Sequence, residues 1–211
     1  GLVGSEMCIR DRVDVAIADT THRHAEHRAL GAELVVLIGR DDDLTHVARV
    51  LHEDPDRQAR RVAARALSRR GDDTSARHLV DGLMRASLPG DRLVEQLSYP
   101  FAVPAMIEAL TRPESVDSRG DLIAALGLSG EQSAMFVVAR FVRDGDDDER
   151  LRACRALGRL GCAQAVPLLL FAMGDPSHTV RAMAARSLGE LGDRRAAPVL
   201  EVSLRDTDWW V

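Results

Sequence analysis

Aromatic residues are scarce in this chain: they make up 3% of its 211 residues, whereas 45% of the residues are apolar. A core with so few aromatics must be filled by Leu, Val, Ile and above all Ala, the composition of helices that approach each other closely. Lysine is absent, so all 28 permanently basic side chains are arginine; a coding sequence rich in G and C accounts for that bias without reference to function. The formal charge of −5 and a pI near 5.8 provide no global field for phosphates, which argues against nucleic acid as a partner. The sequence has no glycine-rich phosphate loop, no Ser/His/Asp arrangement and no CxxC pair. The run Asp146-Asp147-Asp148 lacks the alternating ligands and closing Glu of a calcium loop.

What the sequence does contain is a repeat. Gly127, Gly158 and Gly189 stand 31 residues apart, and so do Gly130, Gly161 and Gly192. Leu126, Leu157 and Leu188 keep that step, as do Ala134, Ala165 and Ala196, and Asp144, Asp175 and Asp206. Several residue classes sharing one period mark a repeated supersecondary unit, of which Asp175 to Leu204 is one complete copy. Asp54-Pro55 lies 121 residues before Asp175-Pro176, close to four steps, so an irregular third copy has lost about three residues.

In chain order, Thr20 or Thr21 is expected to cap a first helix buried through Ala29, Leu30, Leu34, Leu37 and Ile38 and stopped by Gly39. A second helix carries Leu44, Val47, Ala48 and Leu51 inward, which completes a pair over residues 20–53. Pro55 opens the next pair, residues 54–84, whose first helix sets Val62, Ala63, Ala66 and Leu67 against arginines on the opposite face. The third pair, 85–112, is interrupted by Leu88-Pro89-Gly90 and Tyr99-Pro100, and a change of superhelical curvature is expected there. Three regular pairs follow, over residues 113–143, 144–174 and 175–205.

The residue types suit stacking. Ala63-Ala64, Ala153-Cys154 and Ala184-Ala185 let first helices approach their neighbours, and the Gly-x-x-Gly stretch ends each of them with residues that tolerate positive φ. A proline near the start of the second helix, Pro167 or Pro198, sets its direction. No single repeat buries its apolar faces alone, so neighbours must stack.

Residues 2–12, LVGSEMCIRDR, resemble the translated end of a transposase adapter used in shotgun sequencing, so residues 1–12 are expected to be a non-native segment. At the other end, residues 206–211 align with Asp175 to Val180, so a truncated repeat carrying Trp209 and Trp210 is expected.

The full pattern D-x-x-x-x-V-R-x-x-A-A-x-x-L-G-x-L-G-D-x-x-A-x-P-x-L is matched by Asp175, Val180, Arg181, Ala184, Ala185, Leu188, Gly189, Leu191, Gly192, Asp193, Ala196, Pro198 and Leu200. It resembles the HEAT-like repeat named after phycobilisome lyases. That resemblance implies an all-α fold, a right-handed α-α superhelix forming one HEAT-repeat solenoid over residues 13–211. It also implies a ladder of hydrogen bonds between repeats that uses Asp144, Asp175, Arg150 and Arg181. Glu149 stands where the pattern has Val180, so a departure is expected in that copy.

Candidate chemistry is thin. His22, His24 and His27 crowd the first helix, but with no Cys or carboxylate to complete a set they read as a solvated helix start rather than a metal site. His52-Glu53 resembles the His-Glu pairs of deoxyhypusine hydroxylase, yet it does not follow the repeat arginine and stands alone. Cys154 and Cys162 read as buried thiols. The arginines of 57–70 read as a solvated convex face, opposed as a nucleic-acid surface by the acidic runs at 41–43 and 144–149. No catalytic residue, metal or cofactor is expected. The expected function is a non-enzymatic, bacterial-type scaffold gripping a protein partner with its second helices, and Phe171 and Met173 are the candidate contacts. The resemblance leaves two alternatives: a bilin lyase-like subunit acting on a phycobiliprotein, or the soluble part of a membrane-anchored protein. The location is expected to be cytoplasmic unless such an anchor precedes this segment.

Overall fold

The computed structural model describes residues 2–86, 88, 90–205 and 208, with side chains given from Cys8 onward except at 90 and 91. The fold is all-α, a solenoid of stacked helix pairs, and it falls into two compact units, residues 1–97 and 98–211. Unit 1 contains α1 (Leu2–Asp19), the pair α2 (Ala25–Ile38) and α3 (Leu44–Glu53), the pair α4 (Arg57–Arg70) and α5 (Asp73–Met84), and α6 (Gly90–Leu97). Unit 2 contains α7 (Val103–Ala109), then the pairs α8 (Arg119–Leu128) and α9 (Met135–Asp144), α10 (Asp147–Leu160) and α11 (Val166–Ala172), and α12 (His178–Leu191) and α13 (Ala197–Ser203). The boundary at Leu97 separates α6 from α7, within the copy whose repeat pattern is irregular. Apart from Asp208, the residues aligned with a further repeat, 206–211, lie outside the described residues.

First helices pack on first helices: α1 on α2 and α2 on α4 in unit 1, and α8 on α10 and α10 on α12 in unit 2. The sealed side chains are aliphatic, among them Leu44, Leu51, Leu67, Leu79, Leu122, Leu126, Leu157 and Leu169. The two glycines of the Gly-x-x-Gly stretch do different things. The second of each pair, Gly130, Gly161 or Gly192, has φ of 67°, 68° or 64° and turns the chain out of the helix. The first is helical, and at Gly127 and Gly158, though not at Gly189, it marks a close approach instead. A Cβ on Gly127 would lie 2.6 Å from Ala156 Cα in the next first helix, and one on Gly158 would lie 2.7 Å from Ser187 Cβ.

An arginine–aspartate rung joins successive repeats. Arg28 reaches Asp54 of the next pair through Nε at 2.6 Å and Nη2 at 2.8 Å, and the Asp56 amide donates to the same carboxylate. Arg150 repeats this on Asp175 at 2.7 and 3.0 Å, with the Ser177 amide donating at 2.8 Å. Each aspartate's own repeat also supplies an arginine, Arg60 or Arg181, whose Nη1 donates to the Asp54 or Asp175 backbone carbonyl. Burial pushes the Asp54 and Asp175 carboxyls up, but the guanidinium forks and turn amides outweigh it and hold both below the ordinary carboxylate range. Asp144, expected to take part, is exposed at the end of α9. Arg119 instead faces the buried Glu149 at 3.8 Å, and Glu149 also accepts from the Asp146 amide in a capping box. The last rung runs from Arg181 to Asp208 at 3.1 Å, while Asp206 lies outside the described residues.

Two local expectations fail. Thr20 and Thr21 do not cap α2; their hydroxyls donate to the Ile17 and Ala18 carbonyls at the end of α1, and His24 is the residue before α2. Residues 13–19, together with most of the adapter-like segment, form one continuous helix with it. The buried stripe of α2 is Gly31, Ala32, Val35 and Val36, not Leu30, Leu34 and Leu37; Leu30 is 51% and Leu37 77% exposed. The helix is apolar nearly all round, so periodicity does not orient it. The Arg28–Asp54 rung and the contact of Gly31 with the Ala16 carbonyl decide its rotation.

Two outcomes are expected in urea unfolding. Leu157→Ala loses about 2–5 kcal/mol. Gly127→Ala loses about 1–3 kcal/mol despite alanine's better helix propensity, because backbone rather than a movable side chain opposes the new methyl. A loss under about 0.5 kcal/mol in either would refute the packing assigned to it. Because the folded Asp175 carboxyl titrates below its unfolded value, its rung contributes stability at neutral pH that fades as pH falls below ~4, through the folded value. Asp175→Ala should cost about 3 kcal/mol near neutral pH and flatten the acid limb of stability against pH; an unchanged acid limb would show that the rung contributes nothing.

Candidate interaction surface

In unit 2 the second helices α9, α11 and α13 each bury one face and present the other. Met135, Val138, Phe141 and Val142 of α9 and Val166, Leu169 and Ala172 of α11 point inward. A short 3-10 turn precedes each of these helices, and Pro167 or Pro198 occupies the first turn of α11 or α13, where no backbone donor is needed. The 31-residue step therefore brings corresponding outward residues into columns: Phe136, Pro167 and Pro198 in one, and Arg140, Phe171 and Val202 in another. Phe136 is 78% exposed, Phe171 57% and Val202 71%. The Arg143 guanidinium lies 5.2 Å from the Phe171 ring centroid, and Arg140 lies 4.7 Å from that of the buried Phe141 while donating to the Leu110 carbonyl at 3.2 Å.

Of the two sequence-derived contacts, Phe171 stands on this face, while Met173 is half-buried at the end of α11. Phe136 is the residue that sequence reasoning missed. The available signal was its place opposite the inward Met135, Val138 and Val142 on a helix with a strongly two-sided pattern.

The remaining candidates separate by burial and partners. His22, His24 and His27 do come together, with ring centroids 4.2, 5.4 and 6.3 Å apart, and Asp19 lies 3.8 Å from His27 Nδ1. Slight desolvation, with the positive charge that His27 and His24 can carry, lowers the His22 pKa. Among the described residues no group of His, Cys, Asp or Glu is placed to hold a metal. Cys154 is fully buried and its thiol is pushed up to about 12 by burial; Cys162 is buried too and shifts upward for the same reason. Neither is poised as a nucleophile. His52 is half-buried and its pKa is lowered, first by desolvation and then by Arg85. The acidic runs serve the fold: Asp43 accepts from the Arg40 amide at 2.9 Å, Asp41 pairs with Arg70, and Asp146 caps α10. Among the described residues no helix is long and apolar enough to cross a membrane.

Residues 135–211 match a family model described as HEAT repeats. No curated protein matches the chain. Among solved structures, the chain is similar to the complex of CpcE and CpcF of phycocyanin lyase from Nostoc sp. PCC7120, with 22% identity and a TM-score of 0.41, over 88% of this chain and 79% of that one. It is similar to human deoxyhypusine hydroxylase at 19% identity and a TM-score of 0.45, over 94% and 80% of the two chains. An engineered protein gives 17% identity and a TM-score of 0.35, over 94% and 91%. The glycine turn and arginine–aspartate rung of the matched region also occur ahead of it, in α2 to α5, so residues 135–211 are HEAT repeats and the earlier helix pairs share their repeat architecture.

Proposed function

We propose that the chain is a non-enzymatic scaffold that holds a protein partner on the second-helix face of unit 2. The observation that supports this is the set of large apolar side chains, Phe136, Phe171 and Val202, left exposed on successive second helices with Arg140 and Arg143 beside them. Exposed aromatics next to arginines are the residue types that dominate binding energy at protein interfaces. The rigid stack beneath supplies preorganisation, because each second helix is fixed by its own buried face.

A photo-crosslinking residue at position 136 or 171 should trap a discrete adduct in cells, whereas one at Glu190, on an exposed first-helix surface, should not. Phe171→Asp should weaken that partner at least about 30-fold, the effect of losing one hot-spot side chain, with unfolding moved by no more than about 0.5 kcal/mol. Equal adducts from position 190, or undiminished binding by the Asp variant, would remove this face from the function.

A further inference from the structure

A second exposed surface, in unit 1, is independent of the Phe136–Phe171 face. Leu30, Leu34 and Leu37 of α2 follow one another along an outward face and line an apolar groove of about 470 Å³, closed on the α4 side by Ala66, Arg69 and Arg70. Stacking does not account for these leucines. Counted from the inter-repeat arginine of each first helix, the position of Leu37 is held by Arg69 in α4, Leu128 in α8, Arg159 in α10 and Glu190 in α12. It is charged in three of these four helices and in α8 carries a leucine 42% exposed, whereas in α2 the leucine is 77% exposed and continues the line of Leu30 and Leu34.

Along the same side of unit 1, α4 presents Arg57, Arg61, Arg65 and Arg69 at intervals of four residues, one stripe of a helix. Arg69 is paired with Glu33, but Arg57, Arg61 and Arg65 meet no carboxylate among the described residues. Clefts beside the stripe add Arg92 of α6. Among the described residues the acidic groups beside it are Glu33, Asp56, whose side chain caps α4, Asp41, which is held by Arg70, and Glu95 at the far rim. The patch is therefore locally basic on a chain whose formal charge is −5.

We propose that this surface docks an acidic amphipathic helix of a protein partner, with aliphatic side chains seated along Leu30, Leu34 and Leu37 and carboxylates facing Arg61, Arg65 and Arg69. The leucines select a polypeptide over a nucleic acid, which offers phosphates but no aliphatic side chains to fill such a groove. The arginines select its sign, since planar guanidiniums take carboxylates in paired hydrogen bonds. The stripe from Arg57 to Arg69 spans about 18 Å at 1.5 Å per residue, so a partner helix of roughly 12–14 residues matches it.

The test uses the whole chain and a labelled 14-residue helical peptide with leucines at i, i+4 and i+7 flanked by glutamates, read by fluorescence anisotropy. Binding is expected to weaken at least tenfold with Leu37→Asp and with Arg65→Glu, two exposed positions whose variants should unfold at the parent midpoint. Phe171→Asp is expected to leave it unchanged. Replacing the peptide's glutamates by lysines should abolish binding, and removing its leucines should weaken it tenfold or more. The proposal is overturned if the glutamate peptide fails to bind at millimolar concentration, if the lysine peptide or the leucine-free peptide binds as well, if the two variants leave affinity intact, or if a single-stranded 20-mer oligonucleotide binds more tightly than the peptide.

Discussion

The rung in which one repeat's arginine grips the next repeat's aspartate sets the geometry on which the rest depends. At Asp54 and Asp175 the carboxylate accepts a two-pronged guanidinium from the preceding repeat and an amide from its own turn. The arginine that follows in the same repeat ties down that aspartate's carbonyl. Every partner is consumed, which makes a largely buried charge tolerable. Apolar contacts between alanine-rich helices are non-directional and would allow a range of rotations. The rung permits one, and thereby decides which side chains of each first helix face the neighbour and which face solvent.

Close approach then follows from residue size. Gly127 over Ala156 and Gly158 over Ser187 place backbone nearly against backbone, leaving no room for even a methyl group at either glycine. Small residues in this layer explain why so few aromatics suffice: the interior is thin between first helices and is filled by leucines where first and second helices meet. Where a rung departs from the pattern, the geometry degrades. Glu149 takes the place of the missing aspartate contact, yet its closest approach to Arg119 is 3.8 Å, and Arg119 Nε is buried without an acceptor among the described residues.

Much of this was legible because the repeat step superimposes residue classes whose roles are geometric. The positive-φ glycines, the first-turn prolines and Asp175 lie where a 31-residue step and helix-end chemistry place them, whereas Asp144 stands exposed and Arg181 pairs with Asp208. Three things were not legible. The orientation of α2 was hidden because leucine, valine and isoleucine occupy every side of it, and only the rung to Asp54, a contact 26 residues away, selects a face. The distinct task of Gly127 and Gly158 depends on a neighbour 29 residues on, which a single helix does not display. Phe136 and the exposed face around it emerge only once the inward residues of α9 have been assigned by packing.

The same constraint separates the residues that join repeats from those left free to vary. The rungs spend buried polar groups on joining repeats: Arg28 and Asp54, and Arg150 and Asp175, are committed to each other. The cysteines sit at alanine and turn positions, sealed by the stacking. Variation is left to the outward positions, where the stack tolerates nearly any side chain. Those positions carry leucines on α2, arginines on α4 and phenylalanines on α9 and α11, so the chain's individuality lies in two separate exposed surfaces laid over a shared frame.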